Sequence, residues 1–245
     1  MQSAALTIDA RDPVAKARDM TNSTIQRLDT LLLATIGAAL VLTVGVYFYS
    51  TAYFTHTYAQ EDGFVEYATA IFLLIASLVL ASNASSLKAR GAWLAMICTG
   101  FYALLFFFAS GEEISWGQRI FGWETGETFS EINKQQETNL HNLIVPTPWG
   151  DVHLAKTLFG PVLTTILLLY LVFLPLLYPR ITWIKRLADK FAVPVPGLRH
   201  AVLALAASLV IASIDVNRKW EVYELIFSLL AASIFLRPQN PDKTT

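Results

Sequence analysis

The chain has 245 residues, of which 54% are hydrophobic and 15% are charged, and its formal net charge is −1. Soluble domains usually carry about a quarter charged residues, so this composition argues against a water-soluble protein. The basic residues are scattered over short segments, which excludes a nucleic-acid-binding patch. Cys98 is the only cysteine in the sequence, so an intrachain disulfide is excluded as well.

Residues 1–28 are polar and lack an apolar stretch typical of a signal peptide. After them come apolar runs, and a helix needs about 20 such residues to cross the hydrocarbon core of a bilayer. The predicted spans are about 31–54, 64–83, 92–112, 157–178, 199–216 and 220–237. Because unpaired backbone groups are not tolerated in lipid, the sequence predicts an all-α polytopic bundle of six transmembrane helices over 29–237.

The distribution of Lys and Arg predicts the orientation of this bundle. If the N-terminal segment is cytoplasmic, all but five of the 18 basic residues fall in cytoplasmic segments. The five exceptions are Arg119, Lys134, Lys156, Arg218 and Lys219. We therefore expect both termini inside, with residues 238–245 as a cytoplasmic tail.

Carboxylates collect at the ends of the spans on the predicted outer side. These residues are Glu66, Glu112, Glu113 and Glu224. An ionised carboxylate in hydrocarbon is costly, so such groups usually face a partner or a wet cavity. If the spans bundle, their outer ends meet at one level, and the sequence predicts a single outward-facing acidic pocket.

Residues 111–154 form a predicted extracytoplasmic segment that opens with Gly-Glu-Glu-Ile-Ser-Trp-Gly-Gln-Arg. If the third span continues as a helix, Glu112, Ser115, Trp116 and Arg119 share one face, and Glu113 points toward a neighbouring helix. This interpretation makes Glu112, Glu113 and Arg119 candidate catalytic residues. The alternative is a polar face on which Glu112 and Arg119 only anchor the end of the helix.

A second polar motif follows within the same segment. Thr128 and Glu131 have the spacing of a capping box, which predicts a short helix between the third and fourth spans. On that helix Glu137 and His141 would lie one turn apart, as paired metal ligands do. Glu137 is therefore a further catalytic candidate, and a hydrogen-bonded helix lying over the mouth of the bundle is the alternative.

Carboxylates at the span ends, together with residues of both motifs, predict a metal site. A divalent metal ion is the expected cofactor. Its predicted ligands are Glu66, Glu113, Glu137, His141 and Glu224.

On the inner side, residues 180–191 combine apolar residues at helical spacing with basic residues between them. This pattern favours a short amphipathic helix on a leaflet of anionic lipids. A solvated basic loop is the alternative.

Three patterns together resemble a group of bacterial multi-pass inner-membrane proteins that has no established activity. They are Glu-Asp-Gly-x-x-Glu ending at Glu66, the 111–119 motif, and Asn-x-x-Gln-Glu-x-Asn-Leu-His-Asn ending at Asn142. The resemblance covers the chain from the second span to the last. It implies a bacterial inner membrane and supplies no mechanism.

Three functions fit the sequence. One is a metal-assisted membrane enzyme acting on a lipid or a lipid-linked substrate. Another is a non-catalytic subunit whose polar outer face docks an envelope protein. A proton- or cation-coupled carrier is the third, although no internal repeat or pair of broken helices supports it.

Overall fold

The computed structural model describes the backbone of residues 13–245 and the side chains of residues 20–245. The first part of the predicted N-terminal segment, including Arg11, lies outside the described residues. The described chain is mostly helical, as predicted.

Eight helices and one β-hairpin form the framework. They are α1 Pro13–Tyr49, α2 Phe64–Ala89, α3 Trp93–Glu113, α4 Glu127–Ile132, β1 Ile144–Thr147, β2 Gly150–His153, α5 Leu154–Leu177, α6 Thr182–Lys190, α7 Leu198–Ser213 and α8 Lys219–Leu236. Four helices in the described part of the chain are long and apolar enough to cross a membrane, namely Met20–Tyr49 of α1, α2, α3 and α5. The helix α7 is apolar but shorter, and α8 carries three charged residues in its first two turns.

The bounds of the first two predicted spans differ from the structure. Helix α1 begins well before residue 31 and ends at Tyr49, because Ser50 is extended (φ −168°) and its Oγ accepts a hydrogen bond from the Tyr53 backbone. A helical turn Thr51–Tyr53 and a π-turn Phe54–Tyr58 follow. Helix α2 continues six residues past its predicted end, into a polar stretch that has no proline to break the helix.

The helix α5 contains two π-turns, Leu158–Val162 and Leu169–Phe173. The first includes Pro161, which has no backbone N–H to donate and therefore disturbs the regular α-helical ladder. The predicted span is thus present as a helix with two wide turns.

The segment between α3 and α5 contains less helix than the sequence predicts. Helix α4 has only six residues and begins after Gly126, which provides no side-chain cap. The hairpin of β1 and β2 was not predicted, although Val145 pairs with Val152 and the turn closes on Gly150 (φ +117°). A run rich in β-branched residues before a turn with glycine was the available signal.

The long helices pack in a defined order around α8. Helix α2 packs against both α3 and α8, α8 also packs against α1 and α7, and α7 packs against α5. The residues of α8 from Ser228 to Phe235 are all buried. This places α8 at the centre of the bundle, with α3 and α5 at its two flanks.

At one end of the bundle a buried carboxylate ties three helices together. Asp29 of α1 is 1% exposed and accepts hydrogen bonds from Ser233 Oγ (2.6 Å), Arg199 Nη1 (2.9 Å) and Arg237 Nη1 (3.1 Å). We call this end, where α1, α7 and α8 meet through these groups, the basic end.

The amphipathic segment also lies at the basic end and is helical, so its alternative of a basic loop is wrong. Helix α6 exposes Trp183 (63%) and Leu187, while Ala188 is buried against the bundle. Lys185 Nζ donates hydrogen bonds to the Tyr178 hydroxyl and to Asp189 Oδ2, and the Tyr178 hydroxyl donates to Asp189 Oδ1. An exposed apolar stripe next to charged residues is typical of a helix at a membrane interface.

Candidate functional site

The opposite end of the bundle collects carboxylates from three helices. Helix α2 starts with Glu66 in its first turn, α3 ends at Glu113, and α8 starts with Glu221 and Glu224 in its first turns. Because α2 runs antiparallel to α3 and parallel to α8, the start of α2, the end of α3 and the start of α8 meet at one level. We call this end the acidic end.

A tight turn follows α3 directly. Ser115, Trp116 and Gly117 all have left-handed backbone conformations, with φ of 46°, 55° and 77°. Such a conformation costs a non-glycine residue about 1–2 kcal/mol, so two consecutive examples need compensation from their surroundings. The turn reverses the chain immediately after Glu112 and Glu113 and ends the helix there.

Two carboxylates supply that compensation. Trp116 Nε1 donates to Glu112 Oε1 (2.9 Å), and Ser115 Oγ donates to Glu137 Oε2 (2.6 Å). Gly111 permits the first contact, because a Cβ there would come within 2.8 Å of the Trp116 ring. Each of the two non-glycine residues of the strained turn is therefore held by a hydrogen bond to one carboxylate.

Glu137 is the centre of a closed hydrogen-bond network. Its Oε2 also accepts from Asn139 Nδ2 (2.8 Å), and its Oε1 pairs with Arg119. Glu112 Oε2 accepts from the backbone N–H of Leu140 at 2.5 Å. Both carboxylates are only 7% exposed. We call the set of Glu112, Ser115, Arg119, Glu137 and Asn139 the loop network.

The loop network overturns the predicted continuation of α3. Arg119 pairs with Asp62 and Glu137, and the structure shows no ion pair between Glu112 and Arg119 in the described chain. All carboxylate oxygens of the predicted catalytic residues Glu112 and Glu137 thus accept hydrogen bonds within the loop. The guanidinium of Arg119, the third predicted catalytic residue, is engaged in ion pairs there. This arrangement serves structure, since satisfied buried groups rigidify a segment.

The predicted helix carrying Glu137 and His141 is also wrong. Helix α4 ends at Ile132, and Asn133 is extended. Asn133 Oδ1 accepts from the backbone N–H of Gln135 (2.9 Å) and of Glu137 (3.2 Å). Side chains of Asn compete with helical hydrogen bonding in this way, so the residues after Asn133 form a compact loop.

His141 lies beside the loop network, with its Nδ1 facing Glu112. Its Nε2 lies 3.0 Å from Asn142 Nδ2, which can only donate, so the proton belongs on Nδ1, 3.9 Å from Glu112 Oε2. Burial lowers the pKa of His141, against the opposing influence of the Glu112 carboxylate. Because Nε2 is occupied, the structure does not present His141 as an open metal ligand.

Three carboxylates at the acidic end do come together. Glu113, Glu221 and Glu224 each offer an oxygen within 4.8 Å of the others, the one such group of potential metal ligands in the described part of the chain. We call them the acidic triad. Of the predicted ligands, Glu113 and Glu224 belong to it, whereas Glu66, Glu137 and His141 lie outside it.

The triad is short of protein partners. Arg218 Nη1 donates to Glu221 at 3.2 Å and its Nη2 to Glu61 at 2.5 Å. Within residues 20–245, neither Glu113 nor Glu224 accepts a hydrogen bond or forms an ion pair. Glu66 differs, because its Oε2 accepts from the backbone N–H of Asp62 (2.6 Å), in the turn that precedes α2. The two unpartnered carboxylates are therefore the groups available to a ligand.

Sequence reasoning missed Glu221 as a site residue and Arg218 as its counter-charge. Both signals were present, because Glu221 and Glu224 are three residues apart on one helix and Arg218 precedes Glu221 by the same spacing. The spacing alone did not show that α8 starts beside the end of α3.

Such a triad has the chemistry of a site for a hard divalent cation. Carboxylate oxygens are the preferred ligands of Mg²⁺, Ca²⁺ and Mn²⁺. A cation bound there would also offset the repulsion among three carboxylates that share a small volume.

Comparisons with family models, with curated proteins and with solved structures find no match for this chain.

Proposed function

We propose that this protein is a membrane-embedded, metal-assisted enzyme that acts on a lipid or a lipid-linked substrate. The observation that carries the proposal is the acidic triad. Among the described residues Glu113 and Glu224 have no hydrogen-bond or ion-pair partner, while the neighbouring carboxylates Glu112 and Glu137 accept hydrogen bonds on both oxygens. Unpaired carboxylates at the end of apolar helices are rare and usually functional.

The chemistry follows from a cation bound to the triad. It would polarise a phosphoryl or carbonyl oxygen of the substrate or lower the pKa of a bound water. A carboxylate that does not ligate the ion could then act as general base. Glu66, in the first turn of α2, is a further carboxylate of the acidic end, and Arg218, which is paired with Glu221 and Glu61, places a positive charge beside the triad.

The proposal includes the topology of the chain. Six spans, with α7 and α8 as the last two, would place both termini in the cytoplasm and the acidic end outside a bacterial inner membrane. The basic end holds Arg199, Arg237 and the basic helix α6, as the positive-inside rule requires. We further propose that α6 contacts anionic lipids.

A non-catalytic docking role is a second candidate, favoured by one observation. Trp149, at the tip of the β1–β2 hairpin, is 94% exposed, and Phe121 is 79% exposed. Exposed aromatic residues beside a polar surface can anchor a partner protein. The carrier is less well supported, because the buried stretch of α8 from Ser228 to Phe235 contains no ionisable side chain.

Metal analysis of the purified, detergent-extracted protein tests the enzyme proposal. We expect about one divalent ion per chain, lost in Glu113→Gln and in Glu224→Gln. Glu124→Gln is the matched control, since Glu124 is an exposed carboxylate of the same extracytoplasmic segment, and it should retain the ion. His141→Ala should retain it too.

A wild-type protein that takes up no ion after dialysis against Mn²⁺ or Ca²⁺ would contradict the proposal and favour docking. The same holds if the ion stays bound when both triad residues are changed.

A further inference from the structure

One face of α3 is exposed along the helix and consists of large apolar side chains. Ile97, Phe101, Leu104 and Phe108 are all exposed and lie three or four residues apart, so they share this face. The helix is long and apolar enough to cross a membrane. On a helix of that kind, an exposed apolar face is the surface that contacts lipid chains.

Further exposed apolar side chains follow directly after the end of α3. They belong to Trp116, Ile120, Phe121 and Trp123, and Phe121 is 79% exposed. Large apolar groups this close together on a surface are uncommon in soluble monomers and mark a contact with a protein or a membrane. We call these four residues the apolar turn.

The apolar turn folds back onto the exposed face of α3. The Trp116 ring meets Phe107 and Phe108 edge-on, with ring centroids 6.3 and 5.3 Å apart. Phe121 covers the backbone of Gly117, where a Cβ would lie 2.8 Å from its ring. Phe108 precedes the last residue of α3, Glu113, by five residues, or about 7.5 Å at 1.5 Å per residue. The turn therefore starts beside the last turns of the helix instead of extending away from its end.

The polar side chains of the same segment are engaged with the protein. Arg119 is the only charged residue between Trp116 and Trp123 in the sequence, and it pairs with Asp62 and Glu137. Gln118 Oε1 accepts a hydrogen bond from the backbone N–H of Thr138 (2.9 Å). The segment is thus amphipathic, with its polar groups held by the loop network and its apolar groups left on the surface.

We infer that the apolar turn inserts into the interfacial layer of the membrane at the acidic end and contacts lipid there. Its partner is a lipid surface of any headgroup charge, because the contact is made by apolar side chains and the one cation of the segment is already paired. The turn would then fix the loop network at the level of the headgroups. The inference takes α3 to cross the membrane, and it does not depend on a cation at the acidic triad.

Lipid fits this surface better than a partner protein or a second copy of the chain. Trp116 has the orientation of an interfacial tryptophan, because its Nε1 donates to Glu112 while its ring lies against Phe107 and Phe108. The turn is also continuous with the exposed face of α3, so one lipid layer covers both. Phe121 then belongs to the lipid contact, which leaves Trp149 as the exposed aromatic residue that favours docking.

Spin labels measure the depth of the turn. In a Cys98→Ser background, a nitroxide is attached at Phe121→Cys or at Ile120→Cys, and the full chain is placed in nanodiscs of phosphatidylcholine alone. Power saturation compares collisions with O₂, which concentrates in hydrocarbon, and with a water-soluble nickel chelate. We expect both labels to lie about 5–10 Å inside the boundary between headgroups and acyl chains.

Two further labels calibrate this depth. Leu104→Cys, on the exposed face of α3, should lie deeper and collide mostly with O₂, and Glu127→Cys, at an exposed carboxylate, should collide mostly with the nickel chelate. Elution like the wild type in gel filtration shows that a labelled variant is folded. If Phe121→Cys aggregates, Ile120→Cys decides the test alone.

Three results would overturn the inference. Nickel collisions as frequent as those of the Glu127→Cys label would place the turn in water. Loss of collisions with both reagents would show that protein covers the turn, either a second copy or a bound partner. Insertion that occurs only after phosphatidylglycerol is added would show that an anionic headgroup, and not the apolar contact, holds the turn. Each of these results leaves the proposed metal site as it stands.

Discussion

Single carboxylates at the acidic end differ in whether protein donors reach their oxygens. Glu112 and Glu137 are buried and accept hydrogen bonds on both oxygens. Glu113, the immediate neighbour of Glu112, accepts none from the described residues. Adjacent residues of the same type therefore have separate roles, one holding the loop and one facing α8.

Glu137→Gln tests the role of the carboxylates that hold the loop. An amide presents one oxygen where the carboxylate presents two, so Ser115, Asn139 and Arg119 can no longer all be satisfied. We expect a loss of about 1–3 kcal/mol in the free energy of unfolding, measured by thermal unfolding in detergent. Glu127→Gln, an exposed carboxylate of the same segment, should change the stability little. Equal effects of the two variants would show that the network contributes nothing specific.

Gly111→Ala tests the strained turn. The added Cβ would lie 2.8 Å from the Trp116 ring, which is held by Glu112 and by packing against Phe108. Overpacking of this kind costs about 1–3 kcal/mol. Gly37→Ala is the matched control, since nothing lies within 4 Å of a Cβ there, and it should stabilise α1 slightly through helix propensity. If Gly111→Ala unfolds at the wild-type temperature, the turn is not constrained by the indole.

The apolar helices were predicted well from the sequence, and the polar loop between α3 and α5 was predicted poorly. Helices α3, α7 and α8 lie within a few residues of their predicted bounds, because a run of apolar residues in lipid has only one way to satisfy its backbone. The segment after Asn133 could satisfy its backbone hydrogen bonds in several conformations, and side-chain hydrogen bonds to the backbone determined which one forms. The sequence spacing of Glu137 and His141 could not predict these hydrogen bonds, since donors such as Arg119 come from other elements.

The candidate site was predicted in part for the same reason. Glu113 and Glu224 were named from their positions at span ends, and the structure places them together. Glu137 and His141 were named from a helical spacing that does not exist. The contribution of Glu221 depends on how α8 meets α3, which is a property of packing between helices distant in sequence.

Asp29→Asn tests the tie between helices at the basic end. The variant keeps the shape of the side chain but leaves Arg199 and Arg237 without their shared negative charge. Because both guanidinium groups are partly exposed, at 36% and 41%, they can turn to solvent or headgroups, and we expect a loss of about 1–3 kcal/mol. Thermal unfolding of Asp215→Asn, an exposed aspartate of the α7–α8 link, provides the baseline. A variant as stable as the wild type would mean that packing alone holds α1.

The whole molecule has two chemically different ends separated by apolar helices. Helix α7 has 16 residues and α8 has 18, or about 24 and 27 Å at 1.5 Å per residue. Both are slightly shorter than the hydrocarbon core of about 30 Å. If they span it, their terminal residues, including Arg199 and Arg218, must extend toward the interfaces. The acidic triad would then lie just inside the outer surface.

The six-span topology predicts which reagents reach each end. In a Cys98→Ser background, Glu127→Cys places a thiol in the exposed part of the acidic end, and Arg186→Cys places one on the exposed face of α6 at the basic end. We expect a membrane-impermeant maleimide to label Glu127→Cys in intact bacterial cells and to label Arg186→Cys only after permeabilisation. Labelling of both variants in intact cells would show that the two ends share a side, which is incompatible with α5 crossing the membrane. The reverse pattern would place the acidic triad in the cytoplasm, so that any lipid substrate would have to come from the inner leaflet.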